Sequence, residues 1–263
     1  MRLAVLSPAL GIVIRDIGAA DLVVARHGWD LALDASIPVG GDQSGLDYES
    51  LLRARPTHVL LEWPGAPPER LMRLAEQRGW TVLDYETLSL DDMMRAADDL
   101  HAQFAPEPKG PAPSARLREA IGSARPHEGA GRVLLIVPGS VPAALGPGSF
   151  HHEILVRLGA TPAITEGGPW ITLDGEDAME IAPDSIVIID PRPRGVAPGP
   201  APTWDALAAR LGRMATLPIP AIESRRVALM AEPEDLTPST AMIDWARRLR
   251  GILEAWDRDE GGQ

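Results

Sequence analysis

The chain has 263 residues, 45% of them hydrophobic and 24% charged, which is typical of a folded globular protein with one large domain or two lobes. Its net charge of −12, with Lys109 as the sole lysine, argues against nucleic-acid binding. The absence of cysteine excludes disulfides, thiolate metal sites and cysteine nucleophiles.

Strand-like and helical patterns alternate through the first hundred residues. The apolar runs are continuous, which is typical of parallel strands buried on both faces. The predicted strands are Leu3–Leu6, His58–Trp63 and Trp80–Tyr85, and the predicted helices are Ala9–Ile17, Pro67–Arg78 and Leu90–Phe104, the last capped by Ser89.

A proline-rich segment, Ala105–Pro113, then interrupts the alternation. We expect residues 105–130 to form a linker containing one short inter-lobe helix, Ser114–Ala124. Beyond it the predicted strands are Arg132–Val137, Ser185–Asp190 and Val227–Met230, and the predicted helices are Phe150–Leu158, Thr203–Met214 and Pro238–Trp256. The sequence therefore predicts two α/β lobes, 1–104 and 131–263, each with a mostly parallel central sheet flanked by helices.

An internal repeat links the two predicted lobes. Leu46–Glu49 (LDYE), Pro56 and a strand recur 127 residues later as Leu173–Glu176 (LDGE), Pro183 and a strand. In each copy an acid opens a helix and a proline ends it. The repeat favours an approximate two-fold relation between the lobes.

No catalytic motif accompanies this organisation. The chain has no nucleophile elbow and no acid pair at a spacing that calls for acid–base work, so we expect no catalytic residue. His151 and His152 are adjacent on a predicted helix and point about 100° apart, so they would not chelate one ion. We therefore expect no metal site, and we expect these histidines at a solvated helix start.

The tryptophans give the strongest indication of a ligand. Trp80 and Trp245 are predicted core residues, whereas Trp29, Trp63 and Trp170 fall in loops next to strands or helix starts. Ligands of open α/β sheets bind at the carboxyl-end loops, where indoles suit a large planar or macrocyclic ligand. His27, placed in the loop after a strand-like run, is the histidine we retain as a candidate site residue.

The order and spacing of several segments resemble the solute-binding proteins of cobalamin, heme and iron–siderophore ABC importers. The matching segments run along nearly the whole chain: Leu6–Ala9, Gly18–Val24, Val39–Gly41, Leu46–Glu49, Arg55–Leu60, Gly146–Phe150, Leu158–Ala160, Gly168–Trp170, Leu173–Glu176 and Ala182–Ile186. The resemblance implies two α/β lobes joined by a linker helix, with a ligand cleft between them.

Within that family the chain is most similar to the cobalamin-binding branch. Trp170 matches a ligand-stacking tryptophan, Glu234 a cleft acid, and Glu49 and Glu176 the pair of glutamates that dock onto arginines of the permease. Gln43 stands where the branch has a tryptophan. Because Asp235 also replaces an expected cleft arginine, a corrinoid and another metal chelate, such as a ferric siderophore, both stay open as ligands.

The resemblance implies a monomeric, non-enzymatic binding protein, without a cofactor of its own, that serves an ABC permease. Trp29, Trp63 and Trp170 would supply apolar faces, and His27, Gln43 and Glu234 polar contacts or a weak axial ligand. The short first apolar run predicts no export signal, which implies a cytoplasmic chain as given or a periplasmic one if processed. The alternatives are a cytosolic corrinoid- or cofactor-handling protein or enzyme accessory on the same lobes, and an interaction module with an empty cleft.

Overall fold

The computed structural model describes residues 1–107 and 109–260 and, for residues 259 and 260, the backbone only. The chain forms two compact units. The first comprises Met1–Arg116 and Thr237–Ala241, and the second Leu117–Leu236 and the chain from Met242 onward. The predicted limits of the lobes and of the linker stay a prediction.

The first unit is built on a mostly parallel sheet. Its strands are Leu3–Val5 (β1), Val23–His27 (β2), Val39–Asp42 (β3), Gly45–Leu46 (β4), His58–Leu61 (β5) and Thr81–Asp84 (β6). Their order is β4-β3-β2-β1-β5-β6, and β4 pairs antiparallel with β3 while the other pairs are parallel.

The helices of the first unit are Pro8–Asp16 (α1), Tyr48–Ala54 (α2), Glu69–Arg78 (α3) and Leu90–Phe104 (α4). The next helix, Pro113–Ile121 (α5), contains the division between the units and begins and ends slightly earlier than predicted. Ser89 caps α4 as predicted, since its hydroxyl accepts from the Asp92 amide and the Asp92 carboxylate accepts from the Ser89 amide.

The second unit repeats this architecture around its own sheet. Its strands are Arg132–Val137 (β7), Ala143–Ala144 (β8), Thr161–Pro162 (β9), Ile171–Thr172 (β10), Ser185–Ile189 (β11) and Val227–Met230 (β12). The order is β10-β8-β7-β11-β12, with β9 also paired to β7. The helices are Phe150–Arg157 (α6), Gly175–Ile181 (α7), Trp204–Leu211 (α8), Pro220–Glu223 (α9) and Ala241–Glu260 (α10). The predicted α/β class is confirmed.

Each unit encloses its own apolar core. In the first, α1 is buried along most of its length, as expected for a helix that is apolar on all sides. In the second, Ile186 and Ile188 of β11 lie in a cluster with Leu134 and Ile136 of β7. Trp245 on α10 is fully buried, as predicted.

The internal repeat reappears as matched helix ends. Asp47 caps α2 and Asp174 caps α7, each by accepting two backbone amides of the first turn. Both helices end on a non-glycine residue in the left-handed region, Arg55 at φ 46° and Ala182 at φ 43°. The copies therefore share unusual backbone geometry as well as sequence.

The strands beside these helices also match. Thr57 N donates to Arg2 O at 2.8 Å, and Asp184 N donates to Arg132 O at 3.0 Å. The guanidinium of Arg2 donates to Ala54 O at 2.6 Å, while that of Arg132 donates to Ala182 O, also at 2.6 Å. An arginine at the start of the first strand of each sheet, Arg2 directly before β1 and Arg132 as the first residue of β7, thus binds the carbonyl end of the repeated helix.

Candidate functional site

Four predicted site residues lie at the carboxyl edge of the first sheet. Strands β2, β3 and β5 run in the same direction, since β1 is parallel to β2 and β5, and β2 to β3. His27 ends β2, and Trp29 follows it by two residues. Gln43 follows β3, and Trp63 lies two residues beyond β5. Ligands of open α/β sheets bind at this edge.

The side chains at this edge differ in their access to solvent. The Trp29 residue is 62% exposed, which is unusual for the largest apolar side chain. Gln43 is exposed in the turn between β3 and β4, whereas Trp63 is half-buried. The Trp63 amide donates to Asp84 Oδ1 at 3.0 Å, which holds the start of this loop against the end of β6.

His27 is a buried strand residue, so its predicted place in a loop is wrong. It is 6% exposed, and its Nδ1 accepts the Trp29 amide at 3.1 Å. Burial lowers the pKa of His27 below its ordinary value, against the opposing charges of Asp42 and Asp30. The residue contacts the Trp29 backbone directly.

A carboxylate that the sequence analysis missed lies at the middle of this edge. Glu62, directly after β5, accepts hydrogen bonds from the hydroxyls of Ser7 and Thr87. Ser7 is buried and also caps α1. Glu62 therefore joins the loops that follow β1, β5 and β6. The signal in the sequence is a glutamate that interrupts an apolar run, and the predicted strand His58–Trp63 includes it, whereas β5 ends at Leu61.

Trp170 and Glu234 belong to the second unit and occupy different positions on its sheet. Trp170 is 57% exposed and directly precedes β10, so it lies at a strand start and not at a carboxyl end. Glu234 is half-buried, four residues after β12, and therefore follows a carboxyl end. Glu234 thus follows the carboxyl end of a strand, where ligands of open α/β sheets bind, and Trp170 does not.

The turn that carries Glu234 is fixed by its neighbour Asp235. The Asp235 side chain is 1% exposed and forms a bidentate ion pair with Arg248 on α10. It also accepts the Glu232 amide at 2.8 Å, and its own amide donates to Glu232 O at 3.0 Å. The residue that replaces the expected cleft arginine is therefore a buried anchor of this turn.

His151 contributes to the same anchor, which corrects its predicted solvated position. It is 4% exposed, with its Nε2 at 2.6 Å from Asp235 O and its ring 4.9 Å from that of Trp245 in an edge-on contact. Burial lowers the pKa of His151, so the neutral form is favoured. His152 is half-buried, and its Nε2 lies 3.1 Å from Ile164 O.

Two arginines near the carboxyl edge of the second sheet are paired with acids. Arg192, after β11, binds Glu232, and this contact lowers the pKa of the Glu232 carboxyl. Arg210 on α8 donates to Asp190 Oδ2 at 2.9 Å. Both positive charges are therefore largely balanced within the unit.

A cavity of about 730 Å³ opens at the carboxyl ends of β7 and β10. Its walls are the loop 139–142, the start of α7 and the end of α8 with the turn that follows. Leu173, Leu211 and Met214 provide apolar surface, and Arg213 is an exposed charge at its margin. This volume is in the range of small-molecule sites. None of the predicted site residues lines it.

Glu49 and Glu176 occupy equivalent positions in the first turns of α2 and α7, and both are exposed. Glu49 forms an ion pair with Arg53 at 2.9 Å. Among the residues that the structure describes, no group of three or more His, Asp or Glu side chains is placed to hold a metal ion. In the same ranges, no helix is both long and apolar enough to cross a membrane.

No family model matches the chain, and no curated protein matches it significantly. Solved structures do. The periplasmic heme-binding protein HutB of Vibrio cholerae is 18% identical, with a TM-score of 0.72 over 96% of this chain and 98% of that one. The periplasmic vitamin B12-binding protein BtuF of the same species is 16% identical, with a TM-score of 0.62 over 97% of both chains.

A siderophore periplasmic binding protein from the fuscachelin gene cluster of Thermobifida fusca is 15% identical, with a TM-score of 0.70 over 97% of this chain and 96% of that one. The chain therefore has the fold of these periplasmic binding proteins, as the resemblance predicted. All three are periplasmic binding proteins. The comparison gives no support to the expectation of a cytoplasmic chain.

Proposed function

We propose that this chain is the solute-binding component of an ABC importer. Its ligand is a metal chelate, either a corrinoid-like molecule or a ferric siderophore. The observation that carries the proposal is the exposed indole of Trp29 at the carboxyl edge of the first sheet. The fold shared with binding proteins for heme, vitamin B12 and a siderophore supports it.

The first unit supplies an apolar face and a polar neighbour. Trp29 offers a large flat surface, Trp63 lies at the same edge half-buried, and Gln43 is an exposed amide. A bulky chelate with a planar or macrocyclic body buries such indole surface well, and its peripheral amides or hydroxamates suit a neutral hydrogen-bonding partner. We assign these three residues to direct ligand contact.

The second unit contributes Trp170 and Glu234 to the proposal. Trp170 is a second exposed indole, and Glu234 lies on a turn that the buried Asp235 holds in place. The nearby Arg192 and Arg210 are paired with acids. This charge balance favours a neutral or weakly charged chelate over a polyanionic catecholate, which needs unpaired cations.

Glu49 and Glu176 are the residues that we assign to docking on basic side chains of the permease. Both lie on exposed helix starts, and exposed charges mainly govern the rate and orientation of encounter. An importer component of this kind meets its ligand outside the cytoplasmic membrane. Reversing the charge of either glutamate should reduce ligand uptake by cells without changing ligand affinity, and Glu76→Arg on the exposed face of α3 is the control.

Calorimetric titration of the purified chain tests the proposal. The panel is cyanocobalamin, hydroxocobalamin, hemin and a ferric hydroxamate, with tryptophan fluorescence as a second signal corrected for ligand absorption. We expect saturable binding of one class with a dissociation constant of about 1 μM or tighter, which corresponds to about −8 kcal/mol. Absence of binding across the panel would refute the proposal.

A further inference from the structure

The loop after β2 presents an exposed tryptophan next to a buried histidine. We infer that His27 is a positioning residue: as a neutral imidazole it holds Trp29 in its ligand-binding position, and its protonation releases the Trp29 loop. The ligand-affinity part of this inference rests on the proposed function, whereas the effect on the loop does not.

The hydrogen bond between the two residues has a fixed polarity. The Trp29 amide can only donate, so His27 Nδ1 accepts at 3.1 Å and must lack a proton. The neutral imidazole then carries its proton on Nε2. Protonated histidine has a donor on both nitrogens, and it would place an N–H group against the Trp29 amide. The observed loop conformation therefore requires neutral His27.

Backbone contacts hold the loop on both sides of Trp29. The Gly28 amide donates to Gly41 O at 2.8 Å, and the Asp30 amide donates to His27 O at 3.2 Å. Asp30 Oδ1 accepts the amides of Ala32 and Leu33 at 2.8 and 2.6 Å. The exposed indole is thus attached to an ordered turn, and such preorganisation lowers the entropic cost of ligand binding.

The charged groups around His27 set how readily it takes up a proton. Asp42 on β3 and Asp30 in the loop favour the protonated form, whereas burial and Arg26 on β2 oppose it. Burial is the largest of these effects and holds the pKa of His27 below 6.5. His27 is therefore mostly neutral at pH 7 and becomes charged as the pH falls through its pKa.

Asp30 connects this turn to α1. It is 8% exposed, and its Oδ2 has no hydrogen-bond partner among the residues that the structure describes. A side chain at Gly11 would place its Cβ 1.8 Å from this oxygen, so glycine is required for the close approach. This carboxylate oxygen therefore lies against the backbone of α1 at Gly11.

Two substitutions of His27 distinguish its role as a hydrogen-bond acceptor from the effect of its protonation. Asparagine in His27→Asn carries Oδ1 close to the position of Nδ1 and does not titrate, whereas leucine in His27→Leu fills similar space without an acceptor. The first measurement is made without ligand. NMR follows the protection of the Trp29 backbone amide against hydrogen exchange between about pH 7.5 and pH 5.

In the wild type, we expect the protection factor of the Trp29 amide to fall at least about tenfold with the protonation of His27. His27→Asn should keep the protection at all these pH values, and His27→Leu should lack it throughout. A wild-type amide whose protection does not follow His27, or an equal pH-dependent loss in His27→Asn, would overturn the inference.

The second readout is affinity for the panel ligand that the wild type binds. We expect wild-type affinity to fall about fivefold or more at pH 5, and His27→Asn to stay within about twofold of its value at pH 7.5. An equal pH-dependent loss of affinity in both proteins would contradict the positioning role. If no panel ligand binds, the proposed function fails, while the amide measurement still decides whether His27 holds the loop.

Discussion

Helix α2 of the first unit and helix α7 of the second have the same start and end but different surfaces. Each begins with a capping aspartate and ends on a left-handed residue that leads into a parallel strand. On the exposed face, Glu49 of α2 pairs with Arg53, whereas the positions 127 residues later are Glu176 and Glu180. The backbone of the two copies is thus conserved between units, and the charge is not.

The buried face of these helices differs in a complementary way. Leu51 is fully buried in α2, and its counterpart Ala178 is fully buried in α7. One turn further, the order of sizes is reversed, with Ala54 in the first unit and Ile181 in the second. Each helix therefore places one large and one small side chain towards its sheet, in opposite order. The two cores are thus filled by different residues, which is possible because cores tolerate substitutions that keep the total side-chain volume.

The largest expected effect comes from Leu51→Ala. Truncation of this buried side chain leaves a cavity in the first core and should lower the free energy of unfolding by about 2–5 kcal/mol. Hydrogen exchange read by mass spectrometry should show faster exchange in β1 and β5, since they share that core. Exchange in β7 and β11 should stay unchanged.

The matched substitution in the other copy is Ala178→Leu. It adds volume to a full site and should destabilise the second unit by about 1–3 kcal/mol. Hydrogen exchange should then be faster in β7 and β11 and unchanged in β1 and β5. Equal effects on both units from either variant would contradict the description of two separate cores.

The next largest expected effect is the loss of stability at low pH, to which the capping aspartates of both α2 and α7 contribute. Backbone donation from Asp177 lowers the pKa of Asp174, and the hydrogen bond from the Ser50 hydroxyl lowers that of Asp47. A carboxyl with a lowered pKa in the folded state contributes stability above its unfolded pKa of 3.8, and this contribution is lost as the pH falls through the folded pKa.

Replacement of each aspartate by asparagine keeps a capping oxygen and removes the titration. Thermal unfolding between about pH 5 and pH 2.5 should therefore depend less steeply on pH in Asp47→Asn and Asp174→Asn than in the wild type. Glu76→Gln on α3 is the comparison variant. If the thermal stability of both asparagine variants depended on pH as steeply as that of the wild type, the charge of the two aspartates would not stabilise the caps.

The smallest effect concerns the left-handed helix ends. Arg55→Gly and Ala182→Gly should each stabilise the protein by about 0.5–1 kcal/mol, because glycine adopts positive φ without the strain of a side chain. Gly79, at φ 66° after α3, is the control, since Gly79→Ala should destabilise by a similar amount. Opposite signs at Arg55 and Ala182 in chemical denaturation would mean that the copies differ in backbone strain.

The sequence predicted the repeated helix and the long strands because their signals are local. Ser89 and Asp92 form the cap of α4 within four residues, and the LD-E pattern marks the starts of α2 and α7. Strands β4, β8, β9 and β10 have two residues each, which is too short to give a periodic pattern. Their formation depends on neighbouring strands.

The chemistry of the histidines was beyond sequence reasoning because it depends on distant partners. His151 is buried against Asp235, 84 residues away, so its position at a helix start indicated exposure wrongly. His27 contacts Trp29 only two residues away, but its burial and its charged neighbour Asp42 depend on the pairing of β2 with β3. The exposure of Trp29 and Trp170, in contrast, agrees with their placement in loops.

If the exposed tryptophans of this fold bind a metal chelate, their removal must weaken binding, and calorimetry of Trp170→Ala and Trp29→Ala measures this loss. Val156→Ala, which removes a 48% exposed side chain from α6, is the control. For the chelate that the wild type binds, we predict affinity at least about tenfold weaker in each tryptophan variant, or about 1.4 kcal/mol, and no change in the control. Unchanged affinity in both tryptophan variants would show that neither indole contacts the ligand.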